Sequence, residues 1–187
     1  MVTAEFTRQL LALHGEVRPQ PRMDWIGPFP LPESVEQFYC EVGPASITVE
    51  MHGNPFFLPC LAELWNFQAG YRWNGLSGEP IEDWNDAWLV VADAGGDPFI
   101  FDRTSSAVLH AYHGEGEWDA SEIFRDLNKM AACLAQLGSI VCEFRDEYLD
   151  EDCSIRPKFK MIALDRLKVI LGTMSDSQAV LRVLGWI

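Results

Sequence analysis

Long apolar runs are absent from this chain of 187 residues, and basic residues are scarce. No window approaches the roughly 20 apolar residues that a membrane-spanning helix needs. Residues 1–13 carry Glu5 and Arg8 and lack the apolar core of a signal peptide. These absences argue against a membrane protein or a secreted one, and they predict a cytoplasmic protein with no membrane partner.

Positive charge is missing from the middle of the chain in particular. The net charge is −14, and residues 23–140 hold four Lys or Arg against eighteen Asp or Glu, so the whole acidic excess lies there. A field of this sign repels the phosphates of nucleic acid and attracts basic proteins. We therefore expect a protein partner and no nucleic acid. The alternative is that the acidic residues serve solubility alone.

Recognisable reactive motifs are missing as well. The five cysteines form no CxxC pair and are odd in number, which favours a reducing cytosol and argues against a metal site. His110 and His113 lie three apart in a predicted strand, so they should point to opposite faces. Asp93 and Asp97 flank a turn, where aspartate usually bonds the local backbone rather than Ca²⁺. We expect no catalytic residue, no cofactor and no metal, and hence no enzyme.

A β-hairpin is the clearest element that the sequence does contain. Two runs rich in β-branched and aromatic residues, 88–94 and 98–102, flank the sequence Gly95-Gly96-Asp97-Pro98. The two glycines can adopt positive φ without steric cost, which suits a tight reversal. A third apolar run over 107–112 extends the predicted hairpin into a three-stranded meander.

The remaining elements follow from apolar spacing and from Gly and Pro. Before the meander, the pattern first predicts a helix over 3–13, a proline-rich connector over 14–32, and a helix that opens at 31–34 and ends at 43–44. It then predicts strands over 47–51 and 56–58, a short helix over 59–65 and an irregular, aromatic-rich loop over 66–86. After the meander, it predicts a helix that starts at 119–122 and ends or bends at Gly138, a further helical segment from 140, and helices over 157–171 and 176–184. Ser175 or Asp176 is the expected N-cap of the last helix.

This order of elements resembles the SUKH superfamily, which includes the Smi/Knr-type cell-wall-assembly regulators of yeast and many bacterial immunity proteins. The residues that carry the resemblance are 31–39 (LPESVEQFY), 87–98 (AWLVVADAGGDP), 99–102 (FIFD), 107–110 (AVLH) and 121–127 (SEIFRDL). The match spans roughly residues 31–137 and consists of structural rather than reactive residues. The helices after residue 140 have no counterpart in the minimal family pattern.

The resemblance implies an α+β domain that binds another protein. We expect a mixed, mainly antiparallel sheet with helices packed on one side. The N-terminal helix and connector would occupy 1–30, the SUKH-like domain 31–140, and a helical C-terminal extension packed on the same domain 141–187. In bacteria the partner of such a domain is usually a toxin, often a nuclease, which the immunity protein neutralises without chemistry of its own.

Two other functions stay open at this point. One is an intracellular scaffold or regulatory adaptor of the same fold, a possible homo-oligomer that self-associates through Ile162, Leu167 and Ile170. The other is a hydrolase with a site in the aromatic-rich loop that uses His110, His113 and Asp93.

Two acidic segments with tryptophans are the candidate partner-binding surface. Acids there can pair with the Lys and Arg side chains that a nuclease uses for phosphates, and tryptophan is frequent among interface hot spots. The alternative is that Trp84 fills the core while the acids merely solvate a loop. The expected partner-binding residues are Glu79, Glu82, Asp83, Trp84, Asp86, Glu115, Glu117 and Trp118.

Overall fold

A six-stranded sheet forms the centre of the protein in a computed structural model that describes residues 2–187. Its strands are β1 (Ile47–Val49), β2 (Phe56–Leu58), β3 (Trp88–Ala94), β4 (Asp97–Asp102), β5 (Val108–His110) and β6 (Ser121–Phe124). They lie in chain order and each pairs antiparallel with the next. The predicted α+β fold is confirmed, and every strand pair within residues 2–187 is antiparallel, so the sheet is not mixed.

Six α-helices accompany the sheet in the described part of the chain. They are α1 (Ala4–Leu11), α2 (Glu33–Glu41), α3 (Leu61–Leu64), α4 (Leu127–Phe144), α5 (Pro157–Leu171) and α6 (Met174–Val183). Short 3-10 turns lie at Arg22–Asp24, Asn66–Gln68 and Arg145–Tyr148. No helix within residues 2–187 combines the length and the apolar character that a bilayer crossing requires.

The predicted hairpin is the junction of β3 and β4. Ala94 lies opposite Asp97 across the turn, and Gly95 and Gly96 have φ values of 65° and 105°. Only glycine adopts such angles freely, which is why this dipeptide marks the reversal. The carboxylate of Asp93 accepts the Gly96 N–H at 3.2 Å and closes the turn.

The segment after the meander differs from the prediction. Residues 119–122 do not start a helix: Ser121–Phe124 forms β6, whose Phe124 lies opposite Val108 of β5. Helix α4 begins only at Leu127, where the Asp126 carboxylate accepts the Lys129 N–H at 2.8 Å. The apolar residues of 123–137 have the spacing of a helical stripe. Without β6, however, β5 would be an unpaired edge strand. Residues 121–124 therefore form a strand that pairs with β5, although their local spacing favours a helix.

Two helix boundaries also need correction. Gly138 lies inside α4, which continues to Phe144 as one helix instead of giving way to a second segment at 140. Helix α6 begins at Met174, and its N-cap is Thr173, whose hydroxyl accepts the Asp176 N–H at 3.0 Å. The expected caps Ser175 and Asp176 therefore lie within the first turn. Helix α5 over Pro157–Leu171 agrees with the prediction.

The helices pack on one face of the sheet. The side chains that strands β3 to β5 turn toward them are Leu89, Val91, Phe99, Phe101 and Val108. These join one continuous core with α4, which contributes ten buried residues, and with α5 and α6. Leu167 and Ile170 are buried in this core and Ile162 packs against it. These side chains already serve the fold, and the expectation of a homo-oligomer stays a prediction.

The opposite face of the sheet is covered by the aromatic loop, residues 66–86. Val90, Ile100 and Ala111 form a second, smaller core there with Tyr71 and Trp84 of the loop. β3 and β4 each have four consecutive buried residues whose side chains point to alternate faces, so the strands supply two apolar faces, one for the helices and one for the loop. The candidate surface lies on the loop side.

Candidate functional site

Gln68 attaches the aromatic loop to the centre of the sheet. Its side chain is fully buried (0% exposed). The amide nitrogen donates to the Val90 carbonyl at 2.9 Å and to the Leu64 carbonyl at 2.8 Å, while the amide oxygen accepts the Val90 N–H at 2.8 Å. One side chain thereby satisfies both backbone groups of Val90, as a neighbouring strand would.

A cluster of aromatic rings fills the space between the loop and the sheet. Trp84 lies edge-on to Trp88 and Trp118, with ring centroids 5.4 and 5.6 Å away, and 6.0 Å from Tyr71. It is only 7% exposed, so most of its surface packs in the smaller core. The alternative, that Trp84 fills the core, agrees with this burial, and its place among the partner-binding residues stays a prediction.

The two acidic segments that the sequence singled out lie side by side. The Asp83 carboxylate accepts the Trp118 backbone N–H at 3.2 Å, and the Trp118 ring packs 5.7 Å from Tyr71. We call Glu79, Glu82, Asp83, Asp86, Glu115 and Glu117 the acidic face. All six are exposed, and within residues 2–187 only Asp86 forms an ion pair. The other five carboxylates leave an uncompensated negative field on this side of the sheet.

Asp86 is the member of the acidic face that is tied into the structure. Its carboxylate pairs with Arg72 at 2.7 Å, and its backbone carbonyl accepts hydrogen bonds from both Arg72 and Arg103. Burial lowers the pKa of Arg72 from its usual value; Asp86 opposes that shift and Arg103 adds to it. The Asp86 side chain nevertheless remains 97% exposed, so a partner can reach it.

An aromatic groove beside the acidic face was not foreseen from the sequence. It has a volume of about 250 Å³, and its walls include Trp65, Trp73 and Trp84. The ring centroids of Trp65 and Trp73 are 4.9 Å apart. The backbone pairing of Trp73 with Pro80 turns the loop back on itself and forms one side of the groove. The abundance of tryptophan in residues 65–88 was the only sequence signal for it.

The residues around the hairpin turn have local partners. Asp93 accepts a hydrogen bond from the Tyr71 hydroxyl at 3.0 Å, and burial together with Asp93 raises the pKa of Tyr71. Asp97 accepts the His113 backbone N–H at 2.9 Å and lies 2.6 Å from the His113 Nδ1. In the described residues no three potential ligands come together as a metal site. The predicted bonding to the local backbone is confirmed for Asp93, which accepts the Gly96 N–H, whereas Asp97 bonds the backbone of the more distant His113.

His110 and His113 differ in burial, but not through strand spacing as expected, because β5 ends at His110 and His113 lies in the turn that follows. His113 is exposed, whereas His110 is buried with its ring 5.1 Å from Phe99 and 4.9 Å from Tyr112. Burial lowers the pKa of His110 because it disfavours the imidazolium, although Asp97 acts in the opposite direction.

We expect acidification to destabilise the protein in part through His110. A histidine in the unfolded chain takes up a proton near pH 6.5, whereas the folded protein with its lowered His110 pKa does not, so the free energy of unfolding falls as the pH drops below about 6.5. Urea unfolding followed between about pH 7 and about pH 5 should show a smaller loss for His110→Phe than for the parent protein. His113→Gln serves as the exposed control. Parallel pH profiles for His110→Phe and the parent would contradict the expectation.

No protein-family model, curated protein or solved structure matches this chain. The structure shows an α+β fold. The resemblance to the SUKH superfamily depends only on the sequence of residues 31–39, 87–102, 107–110 and 121–127.

Proposed function

We propose that this protein is a non-enzymatic immunity protein that binds and neutralises a basic, nuclease-type toxin through its acidic face. The observation that carries the proposal is the juxtaposition of residues 79–86 and 115–118, which the Asp83–Trp118 hydrogen bond joins. Five exposed carboxylates on these segments have no ion-pair partner within residues 2–187. A charge arrangement without internal compensation favours an external partner of opposite charge.

The chemistry of a nuclease surface fits this arrangement. A protein that binds nucleic acid holds the phosphates with Lys and Arg side chains. Carboxylates form short, charge-assisted hydrogen bonds with the same side chains. An acidic face that covers them blocks the nucleic acid without any covalent step. The protein would then act in the cytoplasm, where an incoming nuclease meets its substrate.

Removal of the charge from the acidic face tests the proposal. In a variant with Glu79, Glu82, Glu115 and Glu117 all changed to Gln, we expect the affinity for the toxin encoded beside this gene to fall at least about tenfold, the equivalent of about 1.4 kcal/mol. The parent complex should also weaken steeply with salt, because exposed charges are screened. Isothermal titration gives the affinity, and survival of cells that express the toxin gives the protection.

A matched control separates the position of the charge from its amount. Glu33, Glu147, Glu151 and Asp165 are exposed acids outside the acidic face and without ion pairs within the described chain. Their replacement by Gln or Asn changes the net charge equally and should preserve binding and protection. If the two quadruple variants behave alike, or if the native cell yields no basic protein partner, the proposal is wrong.

A further inference from the structure

Backbone hydrogen bonds order the segment that forms one wall of the aromatic groove. The segment that carries Trp73 is a closed hairpin in which the Ile81 N–H donates to the Arg72 carbonyl at 3.0 Å and the Asn74 N–H to the Glu79 carbonyl at 2.8 Å. A third bond runs from the Gly70 N–H to the Trp73 carbonyl at 2.7 Å. Because these bonds already order the walls, a ligand would not bear the entropy of ordering them.

The size of the groove limits what it can hold. Its volume of about 250 Å³ is below the range of about 300 Å³ and more that is typical of cofactor and drug-sized ligands. The opening therefore suits one long side chain of a partner protein.

Charge selects the kind of side chain. Cations already lie against rings in and beside the groove: the guanidinium of Arg72, which is part of the lining, is 5.8 Å from the Trp65 centroid, and that of Arg103 is 4.1 Å from Phe29, which packs against Trp65. The charge of Arg72 is compensated by Asp86 at 2.7 Å. Glu79, which lies next in sequence to the wall residue Pro80, is exposed and unpaired within the described chain, as is the nearby Glu82. The two charges that line the groove, Arg72 and Asp86, thus compensate each other, and the exposed carboxylates of Glu79 and Glu82 next to lining residues make the surrounding charge negative.

We propose that the groove binds one lysine or arginine side chain that projects from the basic partner. The cation would lie against the indoles of Trp65 and Trp73 and beside the exposed carboxylates at the rim. A cation over a tryptophan face is attracted by the ring quadrupole, and partial removal of water strengthens that attraction. This inference rests on the proposed function, to which it adds the specific contact that anchors the partner.

The probes are single amino acids with blocked termini. The protein, labelled with ¹⁵N at its indoles, is titrated at constant ionic strength with N-acetyl-lysine methylamide, the arginine analogue and the uncharged norleucine analogue. We expect saturable shifts of the Trp65, Trp73 and Trp84 indole signals with lysine or arginine, and at least tenfold weaker binding of norleucine. Trp73→Leu should lower the affinity at least tenfold, while Trp73→Phe, which keeps an aromatic wall, should retain most of it.

Two further variants separate this inference from the proposed function. Glu79→Gln with Glu82→Gln should weaken both the amino acid and the whole partner. Glu115→Gln with Glu117→Gln should weaken the partner alone, because their segment lines a separate cleft with Gly114, Gly116 and Glu117 and does not adjoin the groove. Unfolding midpoints equal to that of the parent confirm that each variant is folded.

Several results would overturn the inference. Norleucine binding as tight as lysine binding would make the groove an apolar pocket, and preferred binding of the blocked glutamate analogue would make Arg72 the recognition group. An absence of indole shifts at saturating probe, or a partner affinity unchanged by Trp73→Leu, would also refute it. If lysine binds as expected but no basic protein partner exists, the proposed function is wrong, whereas the groove is still a binding site for a cationic side chain.

Discussion

Gln68→Leu is expected to lower the free energy of unfolding by about 3 kcal/mol, because a buried donor and a buried acceptor left without partners each cost about 1–3 kcal/mol. Leucine approximates the volume of glutamine but cannot replace the bonds to the N–H and carbonyl of Val90. Both groups lie in the interior, where water does not reach them. The substitution also releases the aromatic loop from the sheet, so we expect weaker binding of the partner.

Urea unfolding followed by far-UV circular dichroism measures this effect. Gln37→Leu is the matched control: Gln37 is exposed on α2, and its side chain bonds only the Glu41 side chain one turn later. That control should stay within about 0.5 kcal/mol of the parent, as surface substitutions usually do. An equal effect of the two substitutions would show that the Gln68 bonds do not hold the loop.

Gly138→Ala is the second substitution for which we expect a large effect, a loss of about 2 kcal/mol, within the range of about 1–3 kcal/mol for overpacked cores. A Cβ at this position would overlap the Val49 Cγ1 and lie 2.9 Å from the Glu50 carbonyl oxygen and 3.0 Å from the His14 Cε1. Alanine is otherwise favoured over glycine in a helix by roughly 0.5–1 kcal/mol. We therefore expect Gly138→Ala to lower the free energy of unfolding, whereas helix propensity alone would raise it.

The physical reason is the close approach of α4 to strand β1. Val49 is fully buried and part of the sheet, so it cannot move aside without disturbing its pairing with Phe56. Cys142→Ala on the same helix is the control, because Cys142 is exposed and its replacement should change little. If Gly138→Ala proves neutral or stabilising in urea, then α4 and β1 are not packed as closely as described.

Local chemistry accounts for the elements that the sequence predicted correctly. The hairpin at Gly95-Gly96 depends on positive φ within a few residues, and helix α5 depends on apolar spacing between Pro157 and Gly172. Both are decided by neighbours along the chain. The amphipathic helix α1 and the existence of strands β1 and β2 follow in the same way, whereas their pairing comes from the structure.

Residues 121–127 show where such reasoning fails. The stripe from Ile123 onward has helical spacing, yet its first residues pair with β5 and only Asp126 caps the helix. Residues 121–124 form a strand instead of a helix because β5, which is formed by a different part of the chain, offers an edge for pairing.

The sequence by itself determined the strands of the meander, the α+β class and the location of the acidic excess, because composition and short-range periodicity are properties of neighbouring residues. Only the tertiary structure decided that Asp83 meets Trp118, that Trp84 is buried, and that Trp65 and Trp73 form a groove. These contacts depend on how the aromatic loop packs over the sheet through Gln68. Packing of that kind joins residues remote in the chain, and no local pattern encodes it.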